Sequence, residues 1–179
     1  MAILKMILPL LYILVVLVSA AQSCTNILVT PGASDDGNPM IAYNADSYDL
    51  FGSLYHYPPS DNDDDDPNNK KMRKCYSWDD GTYLGEIPEA SKTYNVVGNT
   101  NERGLVITET TFGGVYLGNQ EGAILDYGSL IWITLQRSET ARQAIQTMSH
   151  LMDTYGYASS GESFSLADRI HGEVWIMVV

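Results

Sequence analysis

Residues 1–23 read as a leader that has to leave, so whatever this chain folds into must be built from Cys24 onward. Lys5 gives a basic start, residues 7–18 form an apolar run, and Ser19-Ala20-Ala21-Gln22-Ser23 is a small, mildly polar exit. These are the three regions of a secretory signal peptide. Ala21 and Ser23 are the small residues a signal peptidase reads, and a cut after Ser23 makes Cys24 the new N-terminus. A terminal cysteine carries its own base. An α-amino group titrates at about 7.7–8, near enough to neutrality to take a thiol proton. One processing event would both export the protein and arm a nucleophile.

Other uses of Cys24 compete with that one. It could pair with Cys75, since export permits disulfides. It could be a bacterial lipoprotein cysteine, although Ala21 and Gln22 fit poorly where such signals favour small and aliphatic residues. It could also be a buried thiol just inside a differently cut terminus.

Residues 24–179 suffice for one domain with a real core. The chain has 22 Asp and Glu against 10 Lys and Arg, a net charge of −12. Losing Lys5 with the leader makes the balance more negative still, which argues against nucleic acid and anionic membrane surfaces as partners. No second apolar run is long enough to span a bilayer, so no membrane attachment is expected after leader removal. The two cysteines do not make a disulfide framework. No Asn-x-Ser/Thr sequon is present, so N-glycosylation is not expected. Glu173-Val174-Trp175-Ile176-Met177-Val178-Val179 is a strongly apolar, β-prone run in which the sequence stops. An exposed strand of this kind invites association. The expectation is therefore a fragment or truncated gene product, poorly soluble or homo-oligomeric by itself.

Residues 25–30 and 40–44 read as two strands joined by the turn-rich residues 31–39, a hairpin. Residues 55–67, with three prolines and the acidic run at 61–66, read as a solvated loop rather than a calcium site, because the EF-hand Gly and terminal Glu are missing. Residues 94–98 and 104–112 are strands around a turn, and Gly113-Gly114 ends the second. Residues 124–135 are apolar nearly all round and read as a buried helix. Ser138 is placed to cap a following helix, whose stripe is Ala141, Ala144, Ile145, Met148, Leu151 and Met152, and Gly156 is its stop. Residues 163–167 and 173–179 close the chain as strands. Strands, then helices, then strands imply an α+β protein with antiparallel sheets.

An amide-cleaving thiol needs a group that orients it, donors for the oxyanion and a charged anchor for the substrate. Asp46 lies just after the strand that pairs with the Cys24 strand and Asn44 ends that strand, so the hairpin returns both near the N-terminus. Thr110 and Thr111 could offer hydroxyl or backbone donors. Glu109 could anchor a positive group such as a free α-amine. Taken singly, Asp46 reads more simply as a turn residue and the threonines as β-formers. His56, His150 and His171 sit in no position that suggests a general base.

Taken together, several segments resemble a known family. They are Cys24-Thr25-Asn26-Ile27-Leu28-Val29-Thr30 with Tyr43-Asn44-Ala45-Asp46-Ser47, Asn101-Glu102-Arg103-Gly104, Glu109-Thr110-Thr111-Phe112-Gly113-Gly114, Leu125-Asp126-Tyr127-Gly128, and Gly161-Glu162-Ser163-Phe164-Ser165-Leu166-Ala167-Asp168. The chain is similar in these to cysteine dipeptidases of the dipeptidase A type, members of the N-terminal-nucleophile hydrolase superfamily. The resemblance implies an αββα four-layer sandwich with antiparallel sheets. It implies Cys24 as nucleophile with its freed amine as base, Asp46 holding that amine and thiol in register, and no metal or cofactor. Related amidases place an oxyanion asparagine near Thr111 and an arginine where Tyr43 stands.

The family runs to several hundred residues and the resemblance covers its N-terminal part. Residues 24–179 are thus expected to be the N-terminal portion of such a domain, truncated at its C-terminal end and inactive as it stands. The expected activity of the lineage is hydrolysis of short peptides through a thioester, in the secretory route or a lysosome-like compartment. The alternative is a non-catalytic secreted protein, or an inactive relative, in which Cys24 is structural.

Overall fold

The computed structural model describes residues 24–46, 52–61, 71–112, 118 and 120–179. The leader, Gly113-Gly114 and most of the acidic run lie outside them.

The first hairpin forms as the sequence predicts. β1 (Thr25–Val29) and β2 (Met40–Asn44) pair antiparallel, with Thr25 opposite Asn44 and Asn26 opposite Tyr43. Their loop opens on a 3-10 turn at Pro31–Ala33, and Asp36 accepts from the Ser34 hydroxyl and the Asn38 amide.

Residues 55–67 are not simply a loop. They contain the short strands β3 (His56–Tyr57) and β4 (Ser60–Asp61). The segment is held because the Thr93 hydroxyl meets both the amide and the hydroxyl of Ser60. A hairpin that the sequence reading lacks follows, β5 (Met72–Tyr76) and β6 (Tyr83–Pro88), which puts Cys75 and Ile87 in the core. β7 (Lys92–Thr93), β8 (Val96–Val97), β9 (Thr100–Asn101) and the long β10 (Leu105–Thr111) come next. The turn expected between residues 98 and 104 therefore carries a strand of its own.

α1 (Tyr127–Arg137) is buried from Gly128 to Gln136, the all-round apolar helix expected. Asp126 caps it by accepting from the Ser129 amide. α2 (Ala141–Tyr155) buries Ala141, Ala144, Met148 and Leu151 along its stripe. Its cap is Thr140, which accepts from the Gln143 amide, and not Ser138. Ser138 is fully buried and its hydroxyl bonds Thr147, so it is spent on the helix–helix junction. Gly156 ends α2 at φ 73°, where its amide returns to the Met152 carbonyl. A side chain disfavours that left-handed conformation.

β11 (Glu162–Asp168) and β12 (Val174–Val178) complete a six-stranded sheet ordered β12-β11-β10-β9-β8-β3. Strand side chains alternate between faces. One face of β10–β11 carries Leu105, Ile107, Phe164 and Leu166, all fully buried with the helices in one core. The other carries Thr108 and Thr110, which meet the β1–β2 hairpin. Two helices thus pack on one side of an antiparallel sheet and a second, smaller sheet packs on the other. This mixed α/β arrangement is consistent with an αββα-type sandwich. Asp168 ties the layers, its buried carboxylate accepting from the Ala141 and His171 amides. β12 is an edge strand that leaves Trp175, Ile176 and Val178 exposed.

Candidate active site

The hairpin register decides what surrounds Cys24. Asn26 and Tyr43 stand opposite each other on the face turned toward β10, and Cys24, two residues before Asn26, shares that face. Asn26 clamps the hairpin in place. Its amide donates to the Glu109 carbonyl at 2.8 Å and to the Thr110 hydroxyl, and its carbonyl accepts from the Thr108 hydroxyl at 2.7 Å. With the hairpin pinned at that point of β10, the Cys24 thiol donates to Glu109 Oε1 at 3.6 Å. The Tyr43 hydroxyl donates to the same oxygen and lies 3.9 Å from Cys24 Sγ.

Burial pushes the Cys24 thiol up, and the Glu109 charge pushes it further. The Asp46 backbone amide and the Tyr43 hydroxyl, hydrogen-bonded to the sulfur, pull against them. The net effect is upward, so the resting group is a thiol and needs a base to become a nucleophile. Tyr43 is itself held protonated, by burial first and then by Glu109.

The other expected site residues divide. Asp46 reaches the thiol through its backbone, while its carboxylate accepts from the Thr25 hydroxyl at 3.4 Å and from the Asn44 amide. Asn44 stands on the exposed face of the hairpin and bonds Asp46. Thr111 donates its hydroxyl to Glu162 Oε1 at 2.8 Å. Glu162 has no assigned role in the sequence reading, yet it is almost wholly buried beside Glu109. Burial foremost, with the neighbouring Glu109 carboxylate, pushes its carboxyl up to about 8. Asn26 was likewise missed. The available signal was a polar residue at an inward position of an alternating strand.

Cys24, Tyr43, Glu109, Thr111 and Glu162 line one cleft of about 1480 Å³. Its far wall is aromatic. Tyr57 stacks on Trp132 with centroids 4.2 Å apart, and Tyr55 meets Trp78 edge-on at 5.0 Å. Arg73 lies over Trp132 and pairs with Glu89, and Lys74 also lines the cleft. Gly128 is required here, because a β-carbon would sit 2.7 Å from the Trp78 ring.

Among the described residues no histidine lines this cleft. His56 bonds Asn95, and His171 lies 4.0 Å from Asp168. The two cysteines are unpaired, against the alternative of a Cys24–Cys75 disulfide: Cys75 is buried in the core. No group of His, Cys, Asp or Glu among the described residues is arranged to hold a metal ion.

The sequence profile of Peptidase family C69 matches residues 23–179, and the chain belongs to that family of N-terminal-nucleophile hydrolases. Membership carries cysteine-peptidase-type hydrolysis of peptides as the general activity. No curated protein matches the chain, and no solved structure matches it.

Proposed function

From membership of peptidase family C69, we propose that this chain is an exported cysteine dipeptidase, or the nucleophile-bearing portion of one. Signal peptidase removes residues 1–23 and leaves Cys24 with a free amine. That amine takes the thiol proton as sulfur attacks the carbonyl carbon of a short peptide, and returns it to the departing amine as the C–N bond breaks. A thioester acyl-enzyme remains. Water, giving a proton to the same amine, attacks the thioester, and the acid leaves as sulfur recovers a proton. Asp46 holds the amine and thiol in register. The Thr111 backbone amide is the oxyanion donor to test, because its hydroxyl is committed to Glu162. Glu109 receives the α-ammonium of the substrate.

The observation that supports this reading best is the contact of the Cys24 thiol with Glu109 inside the cleft. A thiol beside a carboxylate is what this reading needs: sulfur to attack and a negative group for an amine-bearing peptide. The raised thiol pKa fits a nucleophile that waits for its own amine.

The test is intact-mass measurement on secreted material together with a dipeptide assay. The expected mature mass begins at Cys24, and activity accompanies it. A mass that retains Ser23 would end the N-terminal-nucleophile reading.

A further inference from the structure

We infer that Glu162 is the second half of the amine site: Glu109 and Glu162 share one proton in the free protein and exchange it for the substrate's α-ammonium group. This rests on the peptidase reading above and adds a residue, a proton count and the identity of the bond that is cut.

The two carboxyl groups come from adjacent strands. β10 and β11 pair with Thr111 opposite Glu162 and Glu109 opposite Phe164, so Glu109 and Glu162 are diagonal neighbours on one face. Each has one oxygen supplied with donors. Glu109 Oε1 takes the Tyr43 hydroxyl and the Cys24 thiol, and Glu162 Oε1 takes the Thr111 hydroxyl. Each also has one oxygen, Oε2, that is buried and has no partner among the described residues. The residues are 5% and 1% exposed, and the Glu109 carboxylate is near enough to push the Glu162 carboxyl up directly.

Two acceptor-only oxygens cannot satisfy each other. Buried carboxylates in this position need a donor between them, either a proton or a cation. In the free protein a proton fills the place, and Glu162 is held protonated up to about 8. The ionisable groups turned toward Glu162 reinforce this. Glu109 on β10 and Asp79 after β5 are acidic, and Tyr157 after α2 is held neutral. Every one of these side chains is anionic or neutral; the freed Cys24 α-amine is the one positive group the mature chain brings here, and it acts as base only when neutral, so a cationic ligand is what the carboxyl pair then lacks.

An ammonium group carries several N–H donors and replaces the proton with both bonds made. The exchange balances. The pair with one proton, plus the ammonium, gives the fully ionised pair with the ammonium bound, plus one proton released to solvent. The position also selects the bond. Glu109 Oε1 is 3.6 Å from Cys24 Sγ. An ammonium on that carboxylate places the thiol against the carbonyl one Cα away, which is the first peptide bond.

The experiment is calorimetric titration at pH 7 of the Cys24→Ala chain with Ala-Ala and with N-acetyl-Ala-Ala, in buffers of different ionisation enthalpy. The expected result is that Ala-Ala binds about tenfold or more tightly than its acetylated form, the scale of a charged hydrogen bond, and releases close to one proton. Glu162→Gln in the same chain abolishes that release and brings the two affinities within about twofold. Equal affinities, or no proton release in the chain that keeps Glu162, would overturn the inference without reliance on the second variant. Because binding is read in a protein that cannot form the thioester, the outcome is separate from catalysis. A preference for Ala-Ala with proton release, alongside a Cys24 protein that hydrolyses nothing, supports the amine site and counts against the dipeptidase reading.

Discussion

The Tyr43 hydroxyl donates to Glu109 Oε1, the oxygen that also receives the Cys24 thiol. One carboxylate oxygen is therefore shared by the nucleophile and by a tyrosine that burial keeps protonated. The donor neutralises part of the Glu109 charge, and that charge is one of the two strongest influences raising the thiol pKa.

Tyr43→Phe removes that donor and leaves the ring. The Glu109 charge then acts on the thiol undiminished, and the Tyr43 hydrogen bond that lowers the thiol pKa is gone. The pH midpoint for alkylation of Cys24 by iodoacetamide should move up. Hydrolysis should fall about ten- to a hundredfold in kcat/KM, the range for a hydrogen bond to a charged group. An unmoved alkylation midpoint would contradict the shared-oxygen arrangement.

The two cysteines should behave oppositely. Cys24→Ala abolishes hydrolysis, because the thiol forms the covalent intermediate and no neighbour replaces it. Cys75→Ala keeps most activity and costs about 1 kcal/mol of stability as a small buried truncation. Burial pushes the Cys75 thiol up to about 11, so the native protein should give one reactive thiol in a titration with a disulfide reagent and two after denaturation. Equal loss of activity in both variants would argue that Cys75 has a role in the site.

What could be read from the residues follows the range of the interactions. The β1–β2 hairpin was legible because its turn residues and strand alternation are local. The α2 stripe was legible for the same reason. The cap was not, since Ser138 and Thr140 are both good caps and only packing against Thr147 decides which is used. The β5–β6 hairpin was missed because Arg73 and Lys74 interrupt its apolar pattern, although Asp79-Asp80-Gly81 marks its turn. Cys24 and Glu109 were identifiable singly as chemistry-bearing residues. Glu162 was not, because its meaning lies in the β10–β11 register that sets it diagonally from Glu109.

Gly128→Ala tests the aromatic wall. The added β-carbon would meet Trp78 ring atoms at 2.7 Å, and Trp78, which is part exposed, has to move. Its edge contact with Tyr55 is then lost. Overpacking of this kind costs about 1–3 kcal/mol. The thermal midpoint should fall, tryptophan emission should shift to the red, and KM for a dipeptide should rise more than kcat falls. An unchanged emission spectrum would show that Trp78 keeps its place and that the cleft wall is looser than the contact distances imply.

Glu162 makes the fold itself sensitive to pH. In the folded chain its carboxyl keeps a proton up to about 8, against an ordinary value of 4.5. Between those limits the folded state binds more protons than the unfolded one at this group. Its contribution to stability is fully present below about 4.5 and is lost as the pH rises through about 8. Glu162→Gln stays neutral throughout and can still accept the Thr111 hydroxyl, so it removes this slope and little else. Urea unfolding at pH 5 and pH 8 should show the Glu162 protein losing more stability across the interval than the Glu162→Gln variant does. The same loss in both proteins would mean that Glu162 ionises in the folded state much as it does in the unfolded one, and that the carboxyl pair holds no proton.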